Sequence, residues 1–188
     1  MAKLYATFYK IKMPGVEWGR SHLDIITDSE SKIDLLFVML NPGSCSCTKT
    51  DLERVTEEVQ PDPTLKRIIT LLQSSSRFKN CRVLNLSDIK EHKSKTFFEK
   101  NHLSFSEYSI FSEHRNSELN SLISSDMKAI LAWGKKVQNS DSTKNVINKL
   151  KGLNVQILNE NQAHYHPLVR IKDYKWSLET SKFLSYFS

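Results

Sequence analysis

The sequence lacks any apolar run that approaches the roughly 20 residues needed by a membrane-spanning helix. Residues 1–10 alternate apolar and polar side chains and lack the apolar stretch of a secretory signal. The three cysteines, Cys45, Cys47 and Cys81, cannot all pair, and a Cys-x-Cys spacing is too tight for an ordinary disulfide. We therefore expect a soluble protein of the reducing cytoplasm, with no membrane partner.

The sequence also contains no internal repeat and no low-complexity tract. Its 188 residues are an ordinary length for one domain, so we expect a single domain over residues 1–188. The three cysteines fall short of the four thiolates of an iron–sulfur cluster, so we expect neither a metal nor another cofactor.

The charge balance is mildly basic, because 27 Lys and Arg residues exceed 21 Asp and Glu residues and give a net charge of +6. Such a balance raises the expectation of a polyanionic partner such as nucleic acid. A solvated basic surface explains it equally well, because the lysines are scattered along the chain.

Four short apolar runs predict buried strands, because each run has the length of a strand covered on both faces. They are residues 33–40, 82–86, 129–133 and 155–158. Helices are predicted between them: Asp62 and Pro63 suit the start of one, Asn116 can cap a second, and residues 146–150 mark a third. Residues 44–60 and 91–112 are predicted as irregular loops.

This alternation predicts an α/β protein, with a three-layer α/β/α arrangement around a central four-stranded, mainly parallel sheet. Residues 5–12 and 22–27 alternate around Pro14 and Gly15, which predicts an additional N-terminal β-ribbon. Polar or special residues follow each central strand, where open α/β sheets bind their ligands. They are Asn41-Pro42-Gly43, Asn85, Trp133-Gly134 and the segment His164 to His166.

In order and spacing, these segments resemble the motifs of the uracil-DNA glycosylase superfamily. The motif segments are LNPG at 40–43, VLNLSD at 83–88, AILAWGKKVQ at 129–138 and HYHPLVR at 164–170. Together with Asp62-Pro63-Thr64, the set is more similar to an uncharacterised bacterial and phage family with LNPS, DPT, NL, AWG and HPL motifs. The resemblance implies a uracil-DNA glycosylase-like fold and a DNA or nucleoside N-glycosidase.

Two residues would carry this chemistry. Asn41 would orient a water, since its amide has no useful proton affinity but its oxygen can accept a hydrogen bond. His166, by resemblance to the last motif, would donate a hydrogen bond to the leaving base. As alternatives, Asn41 tightens a turn in which Gly43 supplies an unusual backbone conformation, and His166 fixes a loop before Pro167.

The remaining candidates would hold the nucleic acid. Asn85, Pro42, Gly43 and Trp133 would contact the base, whereas Lys135, Lys136, Leu168 and Arg170 would contact or wedge into the backbone and stack. Each has a structural alternative: Asn85 as a buried amide at a strand end, Trp133 as a core residue, and the lysines as solvated surface. The alternative function is a non-catalytic protein that binds nucleic acid or a nucleotide, in phage-related or DNA-modification biology.

Overall fold

The computed structural model describes residues 2–43, 47–48, 51–91, 94–102, 106–137, 139–160 and 185–188. The strands are β1 (Lys3–Met13), β2 (Val16–Ile26), β3 (Ile33–Met39), β4 (Arg54–Glu58), β5 (Asn80–Asn85), β6 (Lys128–Leu131) and β7 (Gln156–Ile157). The helices are α1 (Pro63–Ser74), α2 (Ser94–Glu99), α3 (Asn116–Leu122) and α4 (Asp141–Gly152). The predicted α/β class is therefore confirmed.

The sheet is mixed and contains seven strands in the order β4-β1-β2-β5-β3-β6-β7, so the predicted four-stranded sheet is too small. The four predicted central strands form its parallel part, in which Phe37 of β3 lies opposite Val83 of β5 and Ile130 of β6. The difference comes from the N-terminal strands and from β4, which extend the sheet on the β5 side.

Strand β3 explains why residues 33–40 read as a continuous apolar run. Leu35 and Phe37 pack into one core cluster, which α1 covers. Leu36 and Val38 pack into a second cluster, which α3 and α4 cover on the opposite face. A strand buried on both faces needs apolar side chains at successive positions rather than at alternate ones.

The predicted N-terminal ribbon exists as the β1–β2 hairpin, but it is continuous with the sheet rather than an addition to it. Gly15 has φ of 75° in the turn, a conformation that favours glycine. Strand β2 pairs antiparallel with β5, where Leu23 lies opposite Val83. The alternation in residues 5–12 and 22–27 predicted strands correctly but carried no information about this long-range pairing.

Strand β4 corrects the prediction of an irregular loop over residues 44–60. It pairs antiparallel with β1 at the edge of the sheet, with Val55 opposite Phe8. Val55 and Glu57 are its buried residues, and its other residues are exposed. A strand with one buried apolar residue gives little periodic signal, and its pairing with β1 supplies the stability that its own sequence lacks.

The helix starts were predicted with mixed success. Asp62 caps α1, since its side chain accepts a hydrogen bond from the Leu65 amide, and Pro63 is the first helical residue. Asn116 does not cap α3, because a 3₁₀ turn over Glu113–Arg115 precedes it and makes Arg115 the cap.

Residues 91–112 are less irregular than predicted, since they contain α2. None of the helices in the described ranges has the length and apolar character of a membrane span.

Candidate site at the carboxyl edge of the sheet

The chain leaves the carboxyl ends of β3 and β6 toward opposite faces of the sheet. The chain after β3 passes through the edge strand β4 to α1, which covers the cluster containing Phe37. The connection after β6 leads to α4, which covers the cluster containing Val38. Open α/β sheets form a crevice where neighbouring connections diverge in this way, and ligands bind there.

Asn41 lies at this edge of the sheet, two residues beyond the end of β3, and it is half-buried. The edge around Asn41, where the general rule expects ligands, is called the crevice below. Its side-chain NH2 donates a hydrogen bond of 2.6 Å to the backbone carbonyl of Glu91. This bond fixes which end of the amide faces the protein, so Oδ1 is the end left to accept from a ligand or water. Among the described residues, none donates a hydrogen bond to Oδ1.

The loop after Asn41 is tight. Pro42 is buried and Gly43 has φ of 66°, which lies in the left-handed region. A Cβ atom added to Gly43 would lie 3.2 Å from Oδ2 of Asp62, closer than ordinary van der Waals contact. Glycine is therefore favoured here by both the backbone conformation and the nearby carboxylate.

Asn85 is fully buried at the end of β5, beside this loop. The Asn85 NH2 donates to the backbone carbonyl of Asn41 at 3.1 Å, and the Asn85 side-chain oxygen accepts from Arg20 Nη2 at 3.3 Å. Arg20 comes from β2 and is only 2% exposed. In this arrangement, Asn85 joins the loop after β3 to a buried guanidinium.

The other predicted site residues divide into three groups. Trp133 is 3% exposed and packs in the cluster covered by α3 and α4. Lys136 is exposed, and its Nζ lies 3.7 Å from the centre of the Phe98 ring. Lys135 begins a 3₁₀ turn, but its side chain lies outside the described residues. The predicted residues His166, Leu168 and Arg170 also lie outside the described residues.

Comparison with known families gives one match. A model of the family DUF1643, described as a protein of unknown function, matches residues 20–168. The chain belongs to the DUF1643 family. Searches of curated proteins and of solved structures give no match. The region that defines this DUF1643 chain begins at Arg20 and includes Asn41, Asp62 and Asn85, so it spans the whole described crevice.

Three residues of this DUF1643 crevice were not predicted as part of the site. Arg20 appears in the sequence as an isolated charge within a strand, which gives no signal for burial. Glu91 acts through its backbone carbonyl on Asn41, and its side chain is only 14% exposed, 3.7 Å from Lys100. Asp62 was recognised as a helix cap, but its proximity to Gly43 depends on how β4 returns the chain to the crevice.

An ionised network supports the segment between Asn85 and Glu91. The fully buried Asp88 pairs with Arg115 and accepts a hydrogen bond of 3.0 Å from the Tyr9 hydroxyl. Burial raises the pKa of Asp88 to about 6, although bonds from Arg115 and Tyr9 oppose the shift. Asp88 also accepts the Arg20 backbone amide at 3.0 Å through its carbonyl, so the network reaches the crevice.

Glu118 extends this network toward the edge of the sheet. It accepts hydrogen bonds from Arg115 at 3.0 Å and from the Ser21 hydroxyl at 2.6 Å, and it also pairs with Arg54. Burial alone would raise the pKa of Glu118, but these bonds lower it to about 2. The carboxylate is therefore ionised across the physiological pH range and holds α3 against β2 and β4.

A cavity of about 230 Å³ lies between the start of α4 and the segment around Ser109. Its lining combines polar groups, including Ser112, Asp141 and Asn145, with the apolar Leu86 and Val146. Among the described residues, no group of three or more His, Cys, Asp and Glu side chains is arranged to hold a metal ion.

Proposed function

We propose that this DUF1643 chain hydrolyses an N-glycosidic bond of DNA or of a nucleoside at the crevice, with Asn41 orienting the attacking water. The observation that carries the proposal is the bond from the Asn41 NH2 to the Glu91 carbonyl. This bond directs the amide oxygen away from the protein partner, and an amide oxygen in a fixed position can hold a water for attack.

This hydrolysis can be catalysed by groups that act by holding the water and the departing base in position. Departure of the base leaves an oxocarbenium-like sugar, so a nucleophilic water must already lie on the opposite face. His166 would hydrogen-bond the departing base, as the resemblance to the last glycosylase motif implies. The net charge of +6 favours a polyanionic substrate, and the exposed Lys136 lies just beyond β6, where a phosphate backbone would pass.

A second candidate function is recognition of nucleic acid or of a nucleotide without cleavage. The net charge of +6 and the exposed Lys136 favour it, because both suit a polyanionic ligand whether or not that ligand is cleaved. Asn85, in contrast, is fully buried and engaged with Asn41 and Arg20. A base reader must present its amide to the ligand, so Asn85 would instead shape the crevice from behind. Contacts to phosphate would then supply most of the affinity, as in other electrostatic nucleic-acid binders.

The two functions differ in whether a base is released. Duplex and single-stranded DNA carrying uracil, mismatched bases or hypermodified bases, together with free nucleosides, would be incubated with the wild type and with Asn41→Ala. We expect alkali-labile abasic product from the wild type and none from Asn41→Ala. Asn139→Ala is the matched control, because it removes the same side chain at an exposed position.

Loss of activity in Asn41→Ala but not in Asn139→Ala would support the glycosidase. Binding that weakens steeply with salt, without released base, would reject the glycosidase and support the recognition function. Equal base release by the wild type and Asn41→Ala would remove Asn41 from the mechanism.

A further inference from the structure

Asp62 places its two carboxylate oxygens in different environments. Oδ1 accepts the Leu65 backbone amide at 2.9 Å and thereby caps α1. Oδ2 faces Gly43 in the loop that follows Asn41. The cap bond and the fixed start of the helix thus hold one oxygen in a defined direction, and the second oxygen is held with it.

Gly43 keeps space open over this second oxygen. Any larger residue would bring a Cβ atom to 3.2 Å from Oδ2 and would have to adopt φ near 66°. Among the described residues, no hydrogen bond to Oδ2 occupies that space. The half-buried Asp62 therefore presents a carboxylate oxygen beside the loop that carries Asn41.

The proposed hydrolysis needs such a group. A water that attacks the sugar must lose a proton, and the amide of Asn41 cannot accept it. Glu91 is the other nearby carboxylate, but it lies 3.7 Å from the Lys100 ammonium and contacts Asn41 through its backbone. Asp62 has no ion pair among the described residues, and its orientation is fixed by the helix.

We propose that Asp62 is the proton acceptor of the Asn41 site, an inference that rests on the proposed function. The oxygen of the water bonds to C1′ of the sugar, and its proton passes to Oδ2 of Asp62. The bond between C1′ and the base nitrogen breaks, and its electron pair leaves with the base, which then takes a proton from solvent. The Asp62-Pro63-Thr64 segment would thus start α1 and serve the reaction with the same side chain.

Substitution at Asp62 separates these two roles, because Asn and Ser cap helices about as well as Asp but do not accept a proton from water. We expect Asp62→Asn and Asp62→Ser to keep the thermal unfolding midpoint of the wild type. Single-turnover base release should fall at least about 100-fold, the usual contribution of general-base catalysis, with little change in substrate affinity. The acidic limb of the pH–rate profile should also disappear.

Ser140→Ala is the matched control for helix capping. Ser140 caps α4, where its side chain accepts the Thr143 amide at 3.3 Å, so its loss weakens a helix start without removing a carboxylate. We expect this variant to lose stability and to keep its rate of base release.

The outcomes distinguish the two proposals. If the wild type releases base and Asp62→Asn does so at the same rate with the same pH profile, Asp62 is only a helix cap and this inference is wrong. If the wild type releases no base from any substrate in the panel, both this inference and the glycosidase proposal are overturned.

Discussion

The two halves of the sheet are stabilised in different ways. The parallel strands β5, β3, β6 and β7 lie between two apolar clusters. The antiparallel strands β4, β1 and β2 have one apolar face. Their other face carries Tyr9, Ser21 and Arg54, which bond to the charged side chains of Arg115 and Glu118 at α3. The apolar half fixes the positions of the crevice loops, and the polar half holds α3 and the segment after β5.

The candidate site belongs to the parallel half of the sheet, whereas most of the charged network belongs to the antiparallel half. Asn41 follows β3 and Asn85 ends β5, two strands of the parallel half whose packing leaves little freedom at the strand ends. Charged pairs around the antiparallel half range from the buried Arg115–Asp88 to the exposed Lys10–Glu53. The buried pairs contribute less predictably than apolar packing, because desolvation offsets much of their attraction. The two halves are joined by side chains as well as by the pairing of β2 with β5, since Arg20 of β2 bonds Asn85 of β5 and Asp24 of β2 pairs with Arg82 of β5.

The largest effect is expected in the apolar half. Phe37 of β3 is fully buried and stacks on Phe187 with ring centres 6.2 Å apart. Phe37→Ala should lower the free energy of unfolding by about 4 kcal/mol, as measured by urea denaturation, because it removes buried surface and leaves a cavity. A loss below about 1 kcal/mol would contradict the packing described for β3.

The ionised network should show a smaller and non-additive effect. Arg115→Met leaves the carboxylate of Asp88 buried without its cation, and should lower the free energy of unfolding by about 3 kcal/mol. Adding Asp88→Asn should recover part of this loss, because the second change removes the uncompensated charge. Strictly additive losses in the double variant would show that the pair is not coupled.

The pH dependence of stability offers a third comparison, at His22. Burial lowers the pKa of this imidazole to about 4. The charges of Arg82 and Arg54 lower it further, whereas those of Asp24 and Glu118 oppose the shift. Between that value and its ordinary pKa, the unfolded chain binds the proton more strongly, so acidification through this window destabilises the fold. Between pH 7 and pH 5, the free energy of unfolding of His22→Gln should therefore fall by about 2 kcal/mol less than that of the wild type.

Equal pH slopes for the wild type and His22→Gln would contradict this account of His22. Because Asp88 is present in both proteins, its own titration contributes equally and cancels in the comparison.

Gly43 should give the smallest effect. Gly43→Ala forces an alanine into the left-handed region beside Asp62 and should cost about 1 kcal/mol in urea denaturation. Gly152→Ala is the control, because no atom lies within 4 Å of its added Cβ and no left-handed backbone is involved. We expect the control to be neutral or slightly stabilising. Equal effects of the two changes would show that the loop conformation imposes no requirement.

The sequence allowed the parallel half to be predicted better than the antiparallel half. Apolar runs marked β3, β5 and β6 because strands buried on both faces carry a local signal. The edge strand β4 was missed, since pairing with β1 rather than its own composition makes it a strand. The joining of β2 to β5 is likewise a long-range contact that alternation cannot reveal.

For the candidate site, the sequence likewise allowed the positions of residues to be predicted but not their bonding partners. Asn41 was placed correctly after its strand, whereas Asn85 is the last residue of its strand rather than the residue after it. Both lie at strand ends, which can be read from local pattern. Their bonding could not be read, since the partners Glu91 and Arg20 come from distant segments. Asp62 shows this limit of sequence-based prediction most clearly. Its capping of α1 involves neighbouring residues and could be predicted, but its closeness to Gly43 depends on the fold and could not.

Single-turnover base release from the substrate panel by the wild type, Asn41→Ala and His22→Gln tests the central claim most directly. The claim is that the chemistry belongs to the crevice at the carboxyl edge of the parallel strands and that the antiparallel half is structural. We expect release by the wild type and by His22→Gln at pH 7, and none by Asn41→Ala. Release by Asn41→Ala at the wild-type rate, or no release by the wild type, would contradict it.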